Sequence, residues 1–185
     1  MVAALRAETD RGKACVADAM IDEIIKEMFS RRLIKAEREV RDIVSFGRPL
    51  GSHGARLKIA YLLGWIGPDS YHDCDKIHSI RNRMAHDLDV DTFEHVKVRD
   101  LIKALKAPKH VDAFVTRSGN DTRRLNLKRP ADQVLLTIMT CIMRCWDSLD
   151  RAKRQRPGKD AEIFAGPRRI AAYLTNPRIP TAPIP

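Results

Sequence analysis

The chain has 185 residues, 44% of them apolar and 5% aromatic, and carries a formal charge of +10. That length is enough for one domain with a buried core and excludes two sizeable ones. No run of about 18 apolar residues occurs, which excludes a membrane-spanning helix, and residues 1–10 lack the apolar core of a secretory leader, so a cytoplasmic location is expected.

The apolar residues are mostly Ala, Leu, Ile, Val and Met, which favours helices over a β-sandwich. Asp10 is suited to cap a first helix. After it, Ala14, Ala17, Ile21, Ile24, Ile25 and Met28 recur at helical spacing, predicting one long amphipathic helix over 11–32. A shorter helix is expected over 35–46. Gly47-Arg48-Pro49-Leu50-Gly51-Ser52 breaks the pattern, and Ser52 can cap the next helix, whose face is Leu57, Ala60, Tyr61, Leu63 and Gly64. Gly51-Ser52-His53-Gly54 lacks the lysine and the spacing of a phosphate loop and reads as a capping turn. Arg56 and Lys58 either assist a nearby site or solvate their helix.

Asp69 or Ser70 can cap a further helix with apolar positions Tyr71, Cys74, Ile77, Ile80, Met84 and Leu88. Another helix is expected over 92–105. Residues 110–128 combine an alternating stretch with the turn Ser118-Gly119-Asn120-Asp121, which predicts a small β-hairpin or an ordered loop. Pro130 suits the first position of a last long helix reaching about residue 154, with Val134, Leu135, Ile138, Met139, Ile142, Cys145, Trp146 and Leu149 facing the core. Two parts follow: a helical domain over 1–155 and a Pro-rich, basic, partly disordered tail over 156–185. Trp65 and Trp146 read as core or dimer anchors. Cys15, Cys74, Cys141 and Cys145 form no Cys-x-x-Cys pair and sit in apolar helical contexts, so reduced, buried thiols are expected.

The stretch Arg81-Asn82-Arg83-Met84-Ala85-His86 closes the fourth helical segment. A guanidinium can fix a phosphate, and an imidazole titrates near neutral pH, so these are parts that phosphodiester chemistry needs. Asn82 and His86, at i and i+4, share a face. Arg81 and His86 lie about 140° apart on the helical wheel, so a shared site needs a groove or a second copy of the helix. The competing reading is a buried polar network at a helix junction, with Asp87 or Asp89 as partners. His72, Asp73, Asp75 and His78 read as a solvated or hydrogen-bonded polar face rather than a metal site. Neither a metal nor a cofactor is expected.

Charge is uneven. Residues 117–185 hold 14 Lys/Arg against 6 Asp/Glu, so +8 of the +10 falls there. That is either an electrostatic footprint for RNA, DNA or an acidic partner, or a solvated face with a basic tail. Arg83, Arg117, Arg123, Arg124, Lys128 and Arg129 are the candidate contacts. No aromatic residue interleaves the basic run, which weakens the case for base stacking.

Several motifs in order resemble the MltR (mannitol operon repressor) family, within the wider HEPN-like helical superfamily. They are Asp10-Arg11-Gly12, Pro49-Leu50-Gly51-Ser52, the run from Ala55 to Gly64, and Ile80-Arg81-Asn82 with Ala85-His86. The resemblance implies an all-α, HEPN-like helical bundle, a homodimer, and a regulatory role exercised through RNA, DNA or a protein partner. Neither a helix-turn-helix nor a zinc finger is present in the sequence. In HEPN-like ribonucleases the Arg-x4-His element is the active site. The resemblance therefore also implies, as an alternative, a metal-independent endoribonuclease with Arg81 and His86 catalytic, and Asn82 matching the polar residue that follows the arginine.

Overall fold

The computed structural model describes residues 5, 7–33, 36–111 and 126–152. Among these the chain is all-α without a strand, and the helices described from end to end are α1 Asp10–Arg32, α2 Glu37–Val44, α3 His53–Leu62, α4 Pro68–His86, α5 Val96–Lys103 and α6 Pro130–Asp150. Most of the expected hairpin and the whole tail lie outside the described residues, as do Arg117, Arg123 and Arg124.

Helix α1 is the central rod. It packs most extensively on α4 and α6, and α3 and α2 lie against it as well. Ala14, Ala17, Ile21, Ile24, Ile25, Met28 and Phe29 form its buried stripe. They meet Ile77, Ile80 and Met84 of α4 and Val134, Ile138, Ile142 and Leu149 of α6 in one continuous core. Each fully buried Ile, Leu, Phe or Met in such a core contributes about 1.5–3 kcal/mol. Trp65 belongs to this core, its ring 4.9 Å from that of Phe29 in an edge-to-face pair. Trp146 is half-exposed on α6. Cys74, Cys141 and Cys145 are buried free thiols between α4 and α6, and Cys15 is half-buried.

The helix ends correct several expectations. Thr9, not Asp10, caps α1: its hydroxyl accepts from the Gly12 amide at 3.0 Å. Asp10 is thereby free to accept from the Phe93 amide at 3.0 Å and to pair with Lys13. Ser52 caps α3 as expected, accepting from Ala55. Helix α3 ends at Leu62 because Gly64 takes a left-handed conformation, φ 69°. There the Gly64 amide donates to Tyr61 and the Trp65 amide to Ala60, satisfying two carbonyls that the helix end leaves free.

Gly67 caps α4, with Pro68 at its first turn. Neither Asp69 nor Ser70 serves as the cap; Asp69 pairs instead with Lys106 and His110. Leu88 falls beyond the end of α4 and is exposed, so it leaves the core list. The helix expected over 92–105 is shorter, because Phe93 is spent on the core and His95 caps α5. Pro130 opens α6 as expected, and α6 stops at Asp150.

Candidate functional site

Three helices place polar side chains at one junction. Asp18 lies on the otherwise apolar stripe of α1 and is only 6% exposed, and His53, the first residue of α3, is 8% exposed. From α4 come His78, Arg81 and Asn82, all half-buried. Tyr61 and Tyr71 stack with ring centroids 4.5 Å apart and fix α3 against α4. The His53 and His78 rings stand 4.7 Å apart, tilted by 59°.

Asp18 is the hub. Its Oδ1 accepts from His78 Nδ1 at 2.9 Å and lies 2.8 Å from His53 Nδ1. A carboxylate oxygen only accepts, so His78 carries its proton on Nδ1 and offers the Nε2 lone pair. Asn82 Nδ2 donates to that Nε2 at 3.0 Å, and Asn82 Oδ1 in turn accepts from an Arg81 guanidinium N–H at 2.8 Å. Arg81 Nε sits 3.7 Å from Asp18 Oδ2, with its side chain 37% exposed. Burial alone pushes the Asp18 carboxyl up, but its contacts with His53 and His78 outweigh that and hold it well below the usual carboxylate range. His53 differs from the rest. Both its ring nitrogens are buried without a hydrogen bond, since the 2.8 Å approach to Asp18 lacks the required alignment.

The Arg81–His86 stretch is thus divided. Arg81 and Asn82 turn inward to Asp18 and His78, and neither Asp87 nor Asp89 is their partner. His86 and Arg83 are exposed. They line an open hollow of about 520 Å³ with Ser79, Asn82 and Asp87. Asn82 touches both environments. The backbone beyond His86 is tied to the start of α1, where Arg11 donates to the carbonyls of Leu88 at 2.9 Å and Val90 at 3.1 Å. Asp87 pairs with Lys97. Arg11 therefore holds backbone.

Of the crowded polar residues on α4, Asp73 accepts from the amides of Lys106 and Ala107 at 2.8 and 2.9 Å, and His72 leans on Asp73 at 3.1 Å. These two are structural. Only His78 joins the junction. Arg56 also resolves to a structural role: it is buried and grips both oxygens of Asp22 at 2.7–2.9 Å. Lys128 and Arg129 are exposed just before α6, and Lys128 shares a hollow of about 370 Å³ with Lys103 and Lys109.

Asp18 and His53 were not candidates on sequence. Asp18 left a signal, being the one charged position on the stripe Ala14, Ala17, Ile21, Ile25. His53 left none, because a histidine after a capping serine has no periodicity to violate.

The family model described as MtlR, mannitol repressor, matches residues 7–141. The chain belongs to this family. The match takes in the whole Asp18–His53–His78–Arg81–Asn82 junction together with His86, and ends within α6. Comparison with curated proteins and with solved structures finds no match. Membership of the mannitol repressor family supports a regulatory role. No helix among the described residues is long and apolar enough to cross a membrane.

Proposed function

We propose that this member of the mannitol repressor family is a homodimeric transcriptional regulator that works through protein or nucleic-acid partners and without a DNA-reading motif. The observation that carries this reading is the inward commitment of Arg81 and Asn82. Arg81 hydrogen-bonds to Asn82 and stands near Asp18, Asn82 hydrogen-bonds to His78, and His86 lies outside this network. The fixed network makes a rigid junction of three helices, which suits a scaffold presenting surfaces. Lys103, Lys109, Lys128 and Arg129 offer a cationic surface for an acidic partner. On α6, Met143 and Trp146 expose apolar area one turn apart, as a self-associating face would. The folded unit is read as residues 1–155, with 156–185 as an appended basic tail.

Sedimentation of the full chain is expected to give a dimer that Trp146→Glu weakens. Binding to RNA, DNA or an acidic protein through Arg83, Arg117, Arg123, Arg124, Lys128 and Arg129 is expected to fall by orders of magnitude between roughly 50 and 200 mM salt. Affinity indifferent to salt would remove the basic patch from the account.

A second reading is a HEPN-type metal-independent endoribonuclease, and the hollow around His86 favours it. There an imidazole, the Arg83 guanidinium and the Asn82 amide surround open space. His86 would move the proton of a ribose 2′-hydroxyl, and Arg81, released from Asn82, would steady the phosphate. Cleavage of a labelled structured RNA in EDTA separates the readings. The regulator reading expects no cutting by wild type. Cutting abolished by both Arg81→Ala and His86→Ala, in folded protein, would replace it with the nuclease.

A further inference from the structure

We propose that Asp18, His53 and His78 form a binding site for one divalent transition-metal ion of the zinc class. The three residues each offer a ligand atom, and these atoms lie within 4.8 Å of one another. Two imidazoles and a carboxylate are a donor set that borderline divalent ions prefer. Tetrahedral ligands at about 2.0–2.2 Å from zinc stand roughly 3.3 Å apart. The two imidazole nitrogens lie 2.8 and 2.9 Å from Asp18 Oδ1. Moving each nitrogen about half an ångström away from Asp18 Oδ1 brings both to that spacing from the carboxylate.

A second observation points to a ligand. His53 is more than nine-tenths buried, its Nδ1 is beside the carboxylate, and neither ring nitrogen has a hydrogen-bond partner. An unmet buried polar group costs about 1–3 kcal/mol, so a packed junction rarely keeps one for packing alone. A metal bond at Nδ1 meets that nitrogen's share of the cost. The neighbouring polar cluster between the same two helices leaves nothing comparable: Arg56 meets Asp22 and the carbonyls of Val44 and Leu50.

The surroundings fit as well. The ligands come from three packed helices, which fixes their spacing. Asn82 stands behind His78 at Nε2, where a hydrogen bond commonly orients a metal-bound imidazole. The side chains of His78 and Arg81 are 23% and 37% exposed, which leaves a route to solvent. Three protein ligands leave a four-coordinate ion one position for water or another group.

Binding has a consequence at Arg81. Metal at His78 Nδ1 moves the ring proton to Nε2, so Asn82 must turn its amide oxygen toward His78. Arg81 then loses that oxygen as its acceptor. The ion and the Arg81–Asn82 hydrogen bond are thus alternatives, and occupancy of the junction sets where the guanidinium points.

The test uses the EDTA-treated full chain titrated with Zn2+ by calorimetry, followed by zinc-edge X-ray absorption of the loaded wild type. One ion per chain is expected, in a shell of nitrogen and oxygen with imidazole bonds of about 2.0–2.1 Å. His53→Ala and His78→Ala should weaken binding by more than about 100-fold, and Asn82→Ala by about 10- to 100-fold. Absence of uptake by folded wild type would overturn the site. So would unchanged affinity in both histidine variants, or a shell containing sulfur from the buried cysteines. The absorption measurement is made on wild type, so a variant that misfolds does not decide the question.

Discussion

Helices α1 and α3 meet through two polar clusters one turn apart, and the two are built differently. Toward α2, Arg56 holds both oxygens of Asp22 and two backbone carbonyls, so every group in reach is paired. Toward α4, Asp18 faces two histidines, one of which has no hydrogen bond, and the circuit runs on through Asn82 to Arg81 at the surface. The first cluster is closed and the second is open. A closed network fixes the angle between helices. An open one keeps unused bonding capacity at a fixed place, which is what a binding site requires.

The largest expected effect breaks the closed cluster. Arg56→Ala removes the bidentate grip on Asp22, leaving that carboxylate with Lys26 at 3.2 Å, and frees the Val44 and Leu50 carbonyls, a loss of about 3 kcal/mol that urea unfolding would read directly. Replacing both partners, Arg56→Met with Asp22→Leu, should recover most of it, because no charge is then left unpaired. Failure of the double variant to recover would mean that the carbonyl contacts, not the ion pair, hold this corner.

Asp18→Asn acts on the open cluster and should cost less, about 1–2 kcal/mol, because the amide oxygen still accepts from His78 but without the carboxylate's charge. Its signature is in acid. The folded Asp18 carboxyl titrates well below its unfolded value of about 3.9, so its contribution is complete above that pH and fades as pH falls. In EDTA, the wild type should therefore lose stability more steeply than Asp18→Asn below about pH 5. Parallel curves would show that Asp18 is not the charged hub described.

Gly64→Ala probes the turn that leads from α3 to Trp65. A methyl group at φ 69° is strained whatever the space around it, and a cost of about 1–2 kcal/mol is expected in thermal unfolding. The smallest effect belongs to His86→Ala. The side chain is exposed, so stability should stay within about 0.5 kcal/mol of wild type. A larger loss would place His86 in a structural network after all.

The fold was legible where periodicity was strong. The stripes of α1 and α6 follow the 3.6-residue repeat over several turns, and the cap at Ser52 and the Pro130 start are local chemistry. Helix ends misled where two residues could cap: Thr9 and Asp10 stand side by side, and a long-range bond to Phe93 decides between them. Leu88 continued a spacing that the backbone abandons once Arg11 binds the carbonyls beyond His86. The site was half legible. Arg81 and Asn82 stood out as a motif, but their partners come from positions 18 and 53, and only the packing of α1 and α3 on α4 unites them. The charge on the α1 stripe was visible, but its partner was not, because side-chain contacts across about 35 and 60 residues leave no trace in local spacing.

The most direct test of the closed-versus-open distinction is thermal unfolding of EDTA-treated wild type and Asp18→Asn, each with and without Zn2+. An ion present at a hundredfold excess over its Kd stabilises the folded state by about 2.7 kcal/mol. A clear rise in Tm for wild type and none for Asp18→Asn is the predicted result. No rise in wild type, or an equal rise in both, would contradict it and leave the Asp18 cluster as a second helix clamp.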